Sequence, residues 1–143
     1  MARTYIPVAV DRAVRQRARD LCEYCRSPDD FNTDPFAIEH VVPVARGGTD
    51  EEDNLALSCF GCNLVKGARI EAVDPVTGQR IAFFNPRREQ WNDHFEWSQD
   101  FVTIEPRTAT GRVTMFALDL NRRKLQNLRR ALIRYEVHPP ADE

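Results

Sequence analysis

The chain has no apolar run near the roughly 18 residues that a membrane-crossing helix needs. Its opening, MARTYIPVAV, lacks a cationic start followed by a long apolar stretch. A membrane span and a secretory leader are thereby set aside, and a cytoplasmic location is expected. There is no internal repeat and no low-complexity segment, and nothing in the composition points to a fibrous or disordered chain. A strong net charge is missing too, since 20 Lys and Arg stand against 22 Asp and Glu. The sum therefore gives no argument for a polyanionic partner, and distribution has to be read instead. Basic residues gather in RAVRQRAR near the start and NRRKLQNLRRALIR near the end, while acids crowd Asp50 to Asp53. Each basic stretch is helical in pattern, so a solvated helix face explains either one alone.

What is present is enough for one core. With 143 residues, 42% of them apolar and 29% charged, a single compact α+β domain over 1–143 is expected. Val10, Val14, Ala18 and Leu21 recur at helical spacing and predict an N-terminal helix that delivers the chain to Cys22. FAIEHVVPV reads as a short strand ending at Pro43, GGTDEEDN as a turn and loop, LALS as a returning strand, and CFGCNLVKGAR as a helix. Beyond it, DPVTGQ signals a turn and RIAFF a strand. FVTIE and RVTMFAL, joined by PRTATG, predict a C-terminal β-hairpin. In the last helix Leu125, Leu128, Leu132 and Tyr135 form an apolar stripe, with Arg123, Arg130 and Arg134 on another. The division expected is a core over 10–70 with an extension over 71–143 packed on it.

All four cysteines fall in two pairs, Cys22-x-x-Cys25 and Cys59-x-x-Cys62. A two-residue gap lets both sulfurs of a knuckle face one ion, so two knuckles match a tetrahedral, structural zinc site. Disulfides are the weaker explanation in a reducing cytosol, and a redox pair is weaker still. Four sulfurs leave no open position for water, so this zinc would tie the N-terminal helix to the turn before Asn63.

Between the knuckles lies an ordered series: Glu39-His40, Pro43, Gly47-Gly48, Asn54, then Cys62-Asn63 with Lys66 one turn on. Taken singly, Glu39 reads as a surface carboxylate, Asn54 as a turn residue and Asn63 as a helix cap. Taken together with the cysteines, from Cys22 to about Arg69, the series resembles the HNH endonuclease family, in the subset whose ββα-metal core is braced by a four-cysteine zinc site. Asn63 stands where a histidine often does, so the chain resembles an H-N-N variant. DPVTGQ, FNPR and WNDHFEW look like an extension found on stand-alone prokaryotic members.

The resemblance implies a role for each matched residue. His40 would be the general base that takes a proton from the attacking water, a task suited to an imidazole, whose neutral form predominates near neutral pH. Glu39, where Asp is usual, and Asn63 would hold a catalytic divalent ion, and two hard oxygen donors suit Mg²⁺ or Mn²⁺. Asn54 would brace the loop and help orient the base. Alternation along a strand points Glu39 and His40 to opposite faces, so a bend is needed to bring both to one site. Products with 5′-phosphate and 3′-hydroxyl ends are implied.

The partner implied is double-stranded DNA, met at the minor groove by the ββα unit. Affinity would come mainly from phosphate contacts by Lys66 and Arg69, with Arg87, Arg88 and the last helix as further candidates. No separate base-reading motif is present, which predicts weak sequence preference. A monomer and a homodimer both remain open. His94, between the two tryptophans, is expected to pack within the extension. Two other readings stand beside the nuclease: a zinc-braced nucleic-acid-binding module without catalysis, and a zinc protein whose WNDHFEW segment forms a protein-contact surface.

Overall fold

The computed structural model describes residues 5–141. The chain divides into two compact units, one of Met1–Ile70 with Asn85–Glu89 and the other of Glu71–Phe84 with Gln90–Glu143. Among the described residues no helix is long and apolar enough to cross a membrane.

In the first unit, helix α1 (Val8–Arg17) is pinned through Val14, which is fully buried, and through the Asp11–Arg15 pair one turn apart at 2.7 Å. Its last arginine, Arg17, donates to the Leu55 carbonyl at 2.9 Å. The chain then turns through Arg19 and Asp20, both at positive φ, into the first cysteine knuckle. Strands β1 (Ala37–His40) and β2 (Leu55–Ser58) pair antiparallel, Glu39 facing Ala56 and His40 facing Leu55. All of β2 is buried. Helix α2 (Phe60–Lys66) follows directly, with the Cys59 sulfur at its N-cap accepting from the Cys62 N–H. Strand, loop, strand and helix thus appear in the expected order, and the mixed fold is the α+β ββα class that the sequence pattern predicts.

Among the described residues the second unit contains two hairpins and three helices. Strands β3 (Glu71–Val73) and β4 (Arg80–Ala82) close around the DPVTGQ turn, and β5 (Phe95–Trp97) pairs with β6 (Ile104–Pro106). A short helix α3 (Trp91–His94) leads into β5. The expected partner of FVTIE is corrected here: RVTMFAL is not a strand but lies within or just after helix α4 (Ala109–Ala117). The Thr108 hydroxyl caps that helix by accepting from Gly111 N–H at 3.1 Å, and Thr114 accepts from Phe84 N–H at 2.8 Å. A capped start and a side-chain anchor outweigh the β composition of the segment. Gly111 is required because a Cβ there would collide with the His94 carbonyl.

The last helix, α5 (Arg123–Arg134), buries Leu125 and Leu132 and half-buries Leu128, but Tyr135 lies past its end and is 76% exposed. The tyrosine therefore leaves the apolar stripe in which the sequence placed it. Trp91 and Phe95 are buried and Trp97 half-buried, in a row of rings 5.1 to 5.3 Å apart. That burial withdraws the Trp91 and Phe95 rings from the surface, while Asn92, Asp93 and Glu96 of WNDHFEW stay exposed.

Candidate active site

The site is built on β1, the loop after it, β2 and α2. At its back lie the four cysteine sulfurs, all within 4.8 Å of one another and all buried. A zinc–sulfur bond of about 2.3 Å in a tetrahedron separates sulfurs by about 3.8 Å. The Cys25 and Cys59 sulfurs stand 3.7 Å apart. Hydrogen bonds from Cys22, Cys25 and Cys62 hold the Cys59 thiol far below its usual range, whereas burial raises Cys22. Four buried sulfurs at this spacing form the donor set of a tetrahedral ion, and the cluster fits structural zinc. The knuckle is fixed to β2 by Glu23, whose N–H donates to the Leu57 carbonyl while its carboxylate accepts from the Leu57 N–H. Arg87, a sequence candidate for phosphate contact, is instead buried against that Glu23 carboxylate.

The acid–histidine pair is not bent to one side. Pairing is regular along all four residues of β1, so alternation holds and the two side chains part. Glu39 goes inward and is 5% exposed. One carboxylate oxygen accepts from the Tyr24 hydroxyl and the other lies 3.2 Å from the Lys66 ammonium. Burial pushes the Glu39 pKa up while Lys66 and Tyr24 oppose the rise. Tyr24 is itself raised by burial and by the Glu39 charge. Lys66 is 1% exposed and also donates to the His40 and Val41 carbonyls at 3.3 and 3.0 Å. Its ammonium is thus an internal tie between α2 and β1, with no surface for a phosphate, which corrects the contact expected of it. Arg69 remains at the surface, its guanidinium donating to the Val65 and Lys66 carbonyls at the end of α2.

His40 lies at the loop side of β1, its side chain 16% exposed, with Nε2 2.7 Å from the Asp50 carboxylate. Asn54 braces this loop in full. Its Oδ1 accepts from Val42 N–H, and its Nδ2 donates to the Val42 and Thr49 carbonyls, each at 2.9 Å. Gly48 packs so closely on Val42 that a Cβ would collide with the carbonyl. Asn63 is half-buried on α2, and among the described residues its side chain has no hydrogen-bond partner. Oxygen donors of the Glu39 and Asn63 type suit Mg²⁺ or Mn²⁺, but as arranged they do not form an ion site. Both Glu39 oxygens are engaged and the carboxylate is closed to solvent.

Sequence reasoning missed Tyr24 and Asp50. Tyr24 is hidden between two cysteines, and nothing local ties it to an acid 15 positions on. Asp50 reads as one acid in an acidic turn. His94 packs in the second unit, Nδ1 2.6 Å from the Thr108 hydroxyl and its ring 5.8 Å from that of Phe84.

Comparison with known proteins agrees with this geometry. Residues 22–69 match the model of a family described as HNH endonuclease. The chain therefore carries an HNH domain of the zinc-braced kind, a nuclease-type domain, over the segment that contains both knuckles, β1, β2 and α2. No curated protein matches the chain.

Proposed function

We propose that the protein is a DNA endonuclease that hydrolyses phosphodiester bonds, with His40 as the general base. The observation that carries this reading is that, within the HNH segment and among the described residues, half-buried His40 and Asn63 keep side-chain nitrogen or oxygen atoms without a hydrogen-bond partner while Glu39, Lys66 and Asn54 are committed to support. His40 takes a proton from a water molecule, whose oxygen forms a bond to the scissile phosphorus. The bond from phosphorus to the 3′ oxygen breaks, the electron pair stays on that oxygen, and solvent supplies its proton. The ends left are a 5′-phosphate and a 3′-hydroxyl. Arg69, exposed just beyond the end of the helix that carries Asn63, serves as a phosphate contact, so binding weakens as salt rises.

A second reading is favoured by one observation. Glu39 is locked against Lys66 rather than presented beside His40, as in a zinc-braced DNA-binding module that does no chemistry. Conversion of supercoiled plasmid to open-circular or linear form, with Mg²⁺ or Mn²⁺ present, separates the two. Cleavage by the wild type and none by His40→Ala at equal zinc content supports the nuclease. Salt-sensitive DNA binding by both proteins with cleavage by neither supports the module.

A further inference from the structure

The turn after β1 brings a carboxylate onto the imidazole that the resemblance marks as the base. The Asp50 Oδ1 lies 2.7 Å from His40 Nε2. A carboxylate oxygen only accepts, so the hydrogen of that contact belongs to Nε2. In a neutral imidazole the other nitrogen then carries the lone pair. Among the described residues His40 Nδ1 has no hydrogen-bond partner, and Asp50 has no lysine or arginine partner. The two side chains therefore have only each other, and the second ring nitrogen is left over.

Neither side chain is placed by chance flexibility of a surface loop. His40 is held by strand pairing with Leu55 and by the Lys66 ammonium on its carbonyl. Asp50 follows Thr49, whose carbonyl accepts from Asn54 Nδ2 at 2.9 Å. Gly48 N–H donates to the Pro43 carbonyl at 3.0 Å, and Thr49 Oγ1 accepts from Glu51 N–H at 3.3 Å. The same asparagine thus fixes both ends of the turn that aims Asp50.

We propose that Asp50 is a positioning residue for His40. It holds the ring with its proton on Nε2, leaves Nδ1 to take the proton from water, and stabilises the imidazolium formed by that transfer. The proposal rests on the reading of His40 as the base. The proton moves from water to Nδ1, the Nε2 proton stays in place, and Asp50 remains a carboxylate throughout. The opposing charge strengthens the hydrogen bond once the ring is cationic.

The test uses the full zinc-loaded chain and its Asp50→Ala, Asp50→Asn, Asp50→Glu and His40→Ala variants, with plasmid cleavage and ¹⁵N-edited proton spectra of the imidazole N–H groups. In the wild type a protected Nε2–H signal is expected, assigned to His40 by its loss in His40→Ala. It should persist in Asp50→Glu and vanish in Asp50→Ala. On removal of the carboxylate kcat should fall about 10- to 100-fold, a fraction of what a general base contributes, and Asp50→Glu should recover most of it. Loss of a negative charge near DNA would by itself lower KM and leave kcat alone, and that outcome overturns the proposal. So does an Nε2–H signal that survives in Asp50→Ala while kcat is unchanged and His40→Ala is inactive. Full cleavage by His40→Ala instead overturns the base reading, and the catalytic role of Asp50 with it.

Discussion

Both compact units hold an ion pair with a buried carboxylate, yet they use it differently. In the first, Glu39 and Lys66 lie inside together, and Lys66 also ties the His40 and Val41 carbonyls to α2. In the second, the Arg112 guanidinium grips both oxygens of Asp74, at 2.8 and 2.6 Å, and closes the β3–β4 turn. Arg129 there donates to the Val102 and Leu120 carbonyls and lies 5.2 Å from the centre of the Trp97 ring. Buried charge alone therefore does not mark a reaction site. The histidines make the distinction. His138 in the second unit is stacked edge-on to Trp97 and bonded to the Phe101 carbonyl, whereas His40 has a carboxylate on one nitrogen and, among the described residues, no hydrogen-bond partner on the other. Internal ion pairs in the first unit support the strand that carries the half-buried His40, and in the second they hold turns.

The largest effect should come from the sulfurs. Removal of zinc by a chelator, or Cys59→Ser, should unfold the first unit, since structural zinc binding is coupled to folding on the order of 10 kcal/mol. Trp91 and Trp97 both belong to the second unit, so tryptophan emission should hold while amide protection of β1, β2 and α2 is lost. Simultaneous collapse of both signals would break the comparison. Next comes Lys66→Met, which leaves Glu39 without its counter-charge and should cost about 3–5 kcal/mol in urea unfolding. Adding Glu39→Gln to Lys66→Met should recover part of that loss, because it removes the stranded charge. If the double variant is no more stable than Lys66→Met, the tie made by Lys66 to the two carbonyls is the greater part of its contribution.

How much of this was legible follows from sequence distance. The knuckles, the two strands and α2 are written in local spacing, and Asn54 in its loop likewise. The environment of Glu39 is not, because Tyr24 and Lys66 reach it from 15 and 27 positions away and their meeting depends on the packed fold. Strand alternation correctly said that Glu39 and His40 part; what it could not say is that no bend reunites them. RVTMFAL misleads for a related reason. Its β-branched and aromatic residues favour a strand, but the Thr108 cap and the Thr114 bond to Phe84 lie outside any local pattern. Lys66 reads as a surface cation because lysine is almost never fully buried, and the exception here is a paired one.

A smaller effect separates the units by pH. Hydrogen bonds from Arg112 hold the Asp74 carboxyl well below the usual carboxylate range. A depressed folded pKa means that the stabilisation is complete above the unfolded value of about 3.9 and is lost as pH falls toward the folded one. Urea unfolding of the second unit should therefore lose stability below pH 4, and Asp74→Asn should flatten that limb while weakening the turn at neutral pH.

The smallest expected effect is at His138. Burial lowers its pKa, and the nearby Arg129 charge acts in the same direction, against the bond to the Phe101 carbonyl. The unfolded chain then takes up the proton first, so stability should decline as pH falls from about 6.5 toward the lower folded value. His138→Gln should remove that slope between pH 7 and 5 and leave the slope below pH 4 untouched, because Asp74 and His138 serve different turns of the unit. A His138→Gln change that altered plasmid cleavage would mean that the second unit contributes to the reaction, and the division of labour drawn between the two sets of buried charges would have to be redrawn.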